Sequence, residues 1–212
     1  MVRMKRQLWF SVVLAAVALL VGARVSQALP ITFEGLQDGT PVTTQYAADH
    51  VTFSNATAIV AGVSLNEFEF PPHSGTTVVF DDGGPMRLSF SVPFTSVQGF
   101  FTYGTQLTLT AFSDTAGLHQ IGSVSSLFNS NDALFGDPGS NPNELLQLAG
   151  IGPIGSIQIT GDPSGGSFTL DDFNGTPTPE PASLLLLGSG LGGLWWRRKM
   201  RKVSCCHGPT AT

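Results

Sequence analysis

The sequence predicts an all-β fold: a two-sheet antiparallel sandwich of the jelly-roll type, flanked by an apolar segment at each end of the chain. Two observations lead to this prediction. Short runs of alternating or β-branched apolar residues recur through the middle of the chain, and clusters of Gly, Pro, Asp and Asn separate them. In addition, no stretch of ten or more residues in that region has a convincing helical period.

About ten segments have the composition of β-strands. In chain order they are ITF, HVTFS, TAIVAGV, TTVVF, MRLSFSV, VQGFFTY, QLTLTAF, HQIGSV, SIQIT and SFTLDDF. The segments between them, among them DGT, PPHSG, DDGGP, SDTAG, GDPGSNPN and GDPSGG, consist of residues that favour turns. We interpret residues 81–84, DDGG, as a hairpin turn.

The alternation within the strands indicates which side chains are buried. Apolar residues occupy every second position in QLTLTAF and SIQIT, so one face of each strand is expected to pack and the other to meet water. In VQGFFTY the same rule buries either Phe101 and Tyr103 or Phe100. The longest segment without a strand pattern is residues 129–143, and loops of that length are often functional.

The charge of the chain is distributed unevenly. The whole chain carries a net charge of −5, but nine of its ten basic residues lie near the two ends. Between residues 29 and 176 there are fourteen acids and one arginine, Arg87, which gives that segment a net charge of −13. A surface of this sign repels phosphate backbones and anionic lipid, so nucleic-acid binding is not expected, and it attracts divalent cations.

No catalytic pattern stands out in the middle of the chain. Both cysteines lie at positions 205 and 206, the segment 29–176 contains no lysine, and neither G-x-S-x-G nor H-E-x-x-H occurs. We therefore predict a protein that is not an enzyme. Two of the fourteen acids could still act as the carboxylate pair of a secreted glycan hydrolase, but the sequence selects no particular pair.

Residues 1–28 have the organisation of a signal peptide. A basic start, MVRMKR, precedes the apolar run QLWFSVVLAAVALLVGA, and Ser26 and Ala28 are the small residues expected before a cut after Ala28. The expected partners of this segment are the Sec export machinery and signal peptidase. An uncleaved membrane anchor is the alternative, because the apolar run is long for a signal peptide.

The C-terminal end combines a Pro-Glu-Pro sequence with an apolar run and a basic cluster. Residues 182–196 are uncharged, but fifteen residues of helix span only about 22 Å, less than the ~30 Å hydrocarbon core of a membrane. On length alone a buried helix would compete. Trp195 and Trp196, followed by the basic residues 197–202, favour a transmembrane helix with a cytoplasmic C-terminus.

This tail resembles the PEP-CTERM sorting signal of proteins exported by bacteria that make extracellular polysaccharide. The resemblance is carried by the apolar run and by six residues: Pro179, Glu180, Pro181, Arg197, Arg198 and Lys199. It implies that an exosortase, a membrane cysteine peptidase-transferase, processes the chain at residues 177–202. Residues 203–212 form a short cytoplasmic extension beyond the usual end of such a signal.

The middle segment, residues 29–176, resembles galactose-binding-like and carbohydrate-binding-module jelly rolls. The resemblance rests on ITFEGLQDGTPVTTQYAADHVTFSNA, VQGFFTYGTQLTLTAFSDTAG and GSIQITGDPSGGSFTLDDF. Such domains commonly hold a structural calcium ion between the first and last strands, which implies Glu34 and Asp171 or Asp172 as ligands, with Asp38 the next candidate. Calcium favours six to eight oxygen ligands, including carboxylates. The alternative is that these acids are only solvated at strand ends.

Together these features predict an exported protein. It is expected to be held in the inner membrane by its C-terminal helix and then released to the cell surface or the extracellular space by exosortase. Its β-sandwich is expected to associate with extracellular polysaccharide in a biofilm matrix. The alternatives are a structural or adhesive matrix protein that does not bind sugar, and the glycan hydrolase.

Overall fold

Nine β-strands account for almost all the regular structure of the described residues. The computed structural model describes residues 30–178 and Gly190. The strands are β1 (Thr40–Pro41), β2 (Val51–Ser54), β3 (Ala56–Val60), β4 (Thr77–Asp81), β5 (Met86–Tyr103), β6 (Thr108–Phe112), β7 (Gln120–Ser125), β8 (Glu144–Thr160) and β9 (Phe168–Pro177). Within residues 30–178 the only helical segment is a 3₁₀ turn, Ala47–Asp49. The all-β prediction is confirmed.

All pairings between the nine strands are antiparallel. The order across the sheet is β1-β3-β4-β9-β5-β8-β6-β7, and β2 also pairs with β5. The long strands β5 and β8 divide this sheet into two halves. Residues 86–89 of β5 pair with β2 and with the end of β8, whereas residues 96–101 pair with β9 and with the start of β8.

A β-bulge region separates the two halves of β5. The register with β8 shifts on both sides of Phe94, next to Pro93, which has no N–H to donate to a ladder. The two halves share one hydrophobic core. Phe173 of β9 contacts Phe53 of β2 and Phe90 of β5, with ring centroids 6.4 and 6.3 Å apart. Two sheet halves on a common core are consistent with a β-sandwich.

The predicted alternation of buried side chains is confirmed in β5, β6 and β8. Leu109 and Ala111 of β6 are buried, as are Ile157 and Ile159 of β8. In β5, Phe101 and Tyr103 are buried and Phe100 is only partly covered.

Five of the predicted elements differ from the structure. MRLSFSV and VQGFFTY belong to one continuous strand, β5, and ITF makes only an isolated bridge between Ile31 and Phe173. Residues 144–155 extend β8 well before the predicted SIQIT. Residues 81–84 are not a hairpin turn, because β4 pairs with β3 and β9 and not with β5.

The predictions for the two ends of the chain lie outside the described residues. These are the signal peptide at 1–28, the membrane helix at 182–196 apart from Gly190, and the extension at 203–212. Over residues 30–178 and Gly190, no helix has the length and apolar character needed to span a membrane. The jelly-roll topology and the domain boundaries stay predictions.

Candidate functional site

Glu34 contacts the segment 73–77, which ends the loop between β3 and β4. Its Oε1 accepts hydrogen bonds from the backbone N–H groups of Thr76 and Thr77, both at 2.9 Å. Gly75 lies against the same carboxylate in a left-handed conformation, with φ of +57°. A Cβ at position 75 would collide with the Glu34 carboxylate, so a larger residue there would displace this carboxylate and would also be strained by the left-handed backbone.

Asp171 and Asp172 of β9 reach the same segment from the other side. Asp171 Oδ2 accepts a hydrogen bond from the N–H of Ser74 at 2.8 Å, and Asp172 Oδ1 accepts one from the Ser74 hydroxyl at 2.9 Å. His73 Nδ1 lies 2.6 Å from Asp172 Oδ2.

The backbone of β9 explains how two consecutive acids face one segment. In a regular strand, neighbouring side chains point to opposite faces of the sheet. Here the register between β9 and β5 shifts next to Asp171, and Asp172 has a φ of +45°. This irregularity turns both carboxylates toward Ser74.

The structure therefore brings three of the four predicted ligands to one segment and leaves the fourth elsewhere. Asp38 instead holds the end of β3: its Oδ1 accepts hydrogen bonds from the N–H of Val60, at 2.8 Å, and from the hydroxyl of Ser64. Asp171 is only 1% exposed, so it is not a solvated acid at a strand end.

The site has an excess of negative charge. Burial raises the pKa of Asp171 to about 6, and the neighbouring Asp172 carboxylate adds to the rise although the Ser74 N–H opposes it. The only ion pair at the site joins Asp172 to His73, among the residues that the structure describes, and it is charged only when the imidazole is protonated.

The sequence patterns assign no role to His73. Its imidazole stacks on the ring of Phe100, with ring centroids 3.5 Å apart and planes 8° apart. The stacking holds the His73 imidazole in the orientation in which it contacts Asp172. The PPHSG turn alone does not indicate this contact, because Phe100 is distant in sequence.

The geometry of the acids fits calcium only in part. Carboxylates are suitable ligands, and Glu34, Asp171 and Asp172 face one segment without a lysine or arginine partner. Over residues 30–178, however, no three His, Cys, Asp or Glu side chains are grouped so that they could hold one metal ion. The carboxylate oxygens accept hydrogen bonds from protein groups, so calcium binding would require some of these bonds to be exchanged.

A second feature is the β7–β8 loop, residues 126–143, which contains the predicted segment 129–143. Asn131 is fully buried and anchors the loop to β5: its Oδ1 accepts a hydrogen bond from the N–H of Tyr103 at 2.7 Å, and its Nδ2 donates to the carbonyl of Phe101 at 3.0 Å. The same Nδ2 also donates to the carbonyl of Asn141. Although it has no strand, this loop therefore has a defined conformation.

These features define an antiparallel β-domain in which three acids contact the β3–β4 loop, and in which a second loop is internally hydrogen-bonded. Residues 177–199, which make up most of the predicted tail 177–202, match the model of the PEP-CTERM protein-sorting motif family. The resemblance of the tail to this sorting signal is confirmed. No curated protein sequence matches the chain.

Several solved structures have a similar arrangement of strands. One is the K2 cleaved adhesin domain of Lys-gingipain, at 15% identity and a TM-score of 0.45, covering 72% of this chain and 99% of that one. Another is a variant of the family 29 carbohydrate-binding module CBM29-2, at 11% identity and a TM-score of 0.38, covering 71% and 91%. A third, TmCBM61 in complex with β-1,4-galactotriose, has 17% identity and a TM-score of 0.35, covering 68% and 100%. All three TM-scores lie below 0.5, so we carry no ligand over from them.

Proposed function

We propose that this chain is an exported protein that exosortase processes at its C-terminal tail, and that its β-domain then acts at the cell surface or in the extracellular matrix. The observation that carries the proposal is the match of residues 177–199 to the PEP-CTERM sorting motif. The signal-peptide pattern at residues 1–28 is in keeping with export before the tail is processed.

The sorting step is tested by changing the Pro-Glu-Pro sequence in a bacterium that has an exosortase. We expect the double variant Pro179→Ala/Pro181→Ala to keep its tail and to accumulate in the inner-membrane fraction. The matched control is Pro163→Ala, which replaces an exposed proline outside residues 177–199 and should be processed as the unchanged chain is. Equal release of the double variant and the control would refute the proposal.

We infer that the mature domain works by binding and that its ligand is extracellular polysaccharide. Export by this route delivers the domain to the surface of cells that make such polymers. A domain without cysteines is also suited to this location, because it has no thiol to oxidise. The alternative is a structural or adhesive matrix protein that binds protein; glycan hydrolysis would require an acid pair whose replacement abolishes activity.

We further propose a structural calcium ion between Glu34 and the pair Asp171 and Asp172. Three acids face the segment 73–77 in a domain with a net charge of −13. A divalent cation there would reduce their mutual repulsion and would tie the start of the domain to β9. Asp38 is not part of this proposed site, because it is bonded to the end of β3.

A further inference from the structure

We propose that the β3–β4 loop (residues 61–76) and the β7–β8 loop (residues 126–143) form a binding face for an uncharged polysaccharide, which contacts the phenyl rings of Phe68 and Phe135. This inference rests on the proposed association with polysaccharide and adds to it the contact residues and the class of polymer. We call these two loops the aromatic face.

The phenyl rings of Phe68 and Phe135 are both exposed to solvent. Phe68 is 75% exposed and Phe135 is 77% exposed. Every other phenylalanine within residues 30–178 is buried or partly covered. Exposing a phenyl ring to water costs free energy that its burial would recover, so exposed rings on two loops that adjoin are candidates for contact with a ligand.

The two loops that carry these rings are bonded to each other. The N–H of Ala133 donates a hydrogen bond to the carbonyl of Glu69 at 2.9 Å. Asn143 Nδ2 donates to the carbonyl of Pro71 at 3.1 Å. Ala133 is two residues from Phe135, and Glu69 follows Phe68, so the rings belong to segments that are directly bonded to each other.

The turn that carries Phe135 is held in one conformation by hydrogen bonds. The N–H groups of Leu134 and Phe135 both donate to Asp132 Oδ1, and the N–H of Gly136 donates to the Asp132 carbonyl at 3.0 Å. A side chain at position 136 would collide with that carbonyl.

The turn that carries Phe68 is also closed by hydrogen bonds. The carbonyl of Asn66 accepts from the N–H groups of Glu69, at 3.1 Å, and of Phe70, at 2.8 Å. Asn66 Nδ2 donates to the Glu69 carboxylate at 2.9 Å. Both rings are therefore held by ordered backbone before a ligand arrives, which lowers the entropy cost of binding.

The charge around the rings selects the kind of polymer. Glu67 and Glu69 flank Phe68, and Asp132 and Asp137 are close to Phe135 in the chain. The one arginine of the domain, Arg87, is engaged elsewhere, donating to the Thr115 carbonyl at 2.9 Å and to the Ser156 hydroxyl at 3.1 Å.

An anionic polymer or an anionic membrane would be repelled by this face. A neutral sugar ring has an apolar C–H face that packs on a phenyl ring, and its hydroxyls can donate to carboxylates and accept from amide N–H groups. The aromatic face therefore fits an uncharged glycan chain.

The test measures binding of the full-length protein, purified in detergent, to immobilised polysaccharides. Galactomannan and β-1,3-glucan are the neutral probes, polygalacturonate is the anionic probe, and extracellular polysaccharide from an exosortase-bearing bacterium is the fourth. We expect binding to at least one neutral probe, and about tenfold weaker binding for Phe68→Ala and for Phe135→Ala. The matched control is Leu118→Ala, which removes a side chain that is 77% exposed outside the aromatic face and should bind unchanged.

The outcomes separate this inference from the proposed function. Unchanged binding by both phenylalanine variants, or tighter binding to polygalacturonate than to the neutral probes, would overturn the inference and leave polysaccharide association standing. Binding to none of the four polymers would overturn both. The unchanged protein could bind a matrix protein and none of the polysaccharides, with both phenylalanine variants losing that binding. This result would favour the adhesive alternative and would also overturn the inference.

Discussion

The carboxylate of Asp81 connects the end of β4 to the start of β9. It is fully buried, and it accepts hydrogen bonds from the N–H groups of Ser167 and Phe168 at 2.8 and 3.0 Å and from the Ser167 hydroxyl at 3.0 Å. Burial raises the pKa of Asp81, although these hydrogen bonds oppose the rise.

The raised pKa predicts a pH dependence with a definite sign. An aspartate in the unfolded chain titrates near pH 4, so between about pH 4 and its higher folded value the folded state binds more protons. Stability contributed by Asp81 therefore falls as the pH rises through this window. Asp81→Asn removes this titration. We therefore expect the free energy of unfolding of the variant, relative to that of the unchanged protein, to be higher at pH 7 than at pH 4. Urea unfolding of both proteins at both pH values measures this quantity, and the same relative value at both would contradict the prediction.

At the residue scale, the sequence predicts that Glu34, Asp171 and Asp172 lie near one another, at the first and last strands. The structure brings all three into hydrogen-bonding contact with the segment 73–77, and calcium binding by them stays a prediction. The part played by Ser74 and the separate role of Asp38 were not predictable, because they depend on the irregular backbone of β9 and on the end of β3.

The β7–β8 loop is the element whose conformation matters most for the aromatic face. Gly136 lies so close to Asp132 that a Cβ would be 2.5 Å from the Asp132 carbonyl oxygen. We expect Gly136→Ala to displace this turn and to lower the free energy of unfolding by about 1–3 kcal/mol. Hydrogen exchange at the Leu134 and Phe135 amides should accelerate, because their bonds to Asp132 would be lost.

The control for this substitution is Gly104→Ala. The nearest side-chain atom to a Cβ at position 104 is Phe70 Cζ at 4.0 Å, an ordinary contact, so this variant should retain the protection of the Leu134 and Phe135 amides. Equal exchange rates in Gly136→Ala and in the unchanged protein would show that the turn does not depend on this glycine.

At the scale of strands, the local sequence pattern predicted most elements. It failed where hydrogen bonding to a neighbouring strand, and not local composition, decides whether a segment forms a strand. Residues 144–155 contain Gly150, Gly152 and Pro153, which indicate a turn, yet the first part of this segment pairs along β5. Conversely, ITF has a strand-like composition, but Phe33 adopts a φ of +62° and ends the pairing after a single bridge.

For the whole domain, the net charge of −13 and the three acids at the segment 73–77 predict a response to calcium. We expect added calcium to raise the melting temperature of the protein by about 5 °C, through binding to the folded state alone. Glu34→Gln should abolish this shift, because the amide can still accept the hydrogen bonds of Thr76 and Thr77 but supplies no charge.

Asp162→Asn is the matched control for the calcium experiment. Asp162 is an exposed acid bonded to its own neighbour Ser164, so its loss should leave the calcium shift intact. A melting temperature of the unchanged protein that does not respond to calcium would disprove the proposed ion.

The sorting tail was predictable without any structure, because it is a linear signal. Its residues are adjacent in sequence, and the match at residues 177–199 agrees with the Pro-Glu-Pro sequence and the basic cluster identified from the sequence. The proposed aromatic face depends on contacts between loops that are distant in the chain, which sequence patterns do not show.

Export and C-terminal processing of this chain are tested by the intact mass of the protein recovered from the extracellular polysaccharide fraction of a bacterium that has an exosortase. The predicted mass corresponds to a chain that begins at Leu29 and has lost the apolar run 182–196 and the basic cluster that follows it. Recovery of the protein only in the inner membrane, with the mass of a chain that retains residues 182–202, would contradict both processing of the tail and release of the domain.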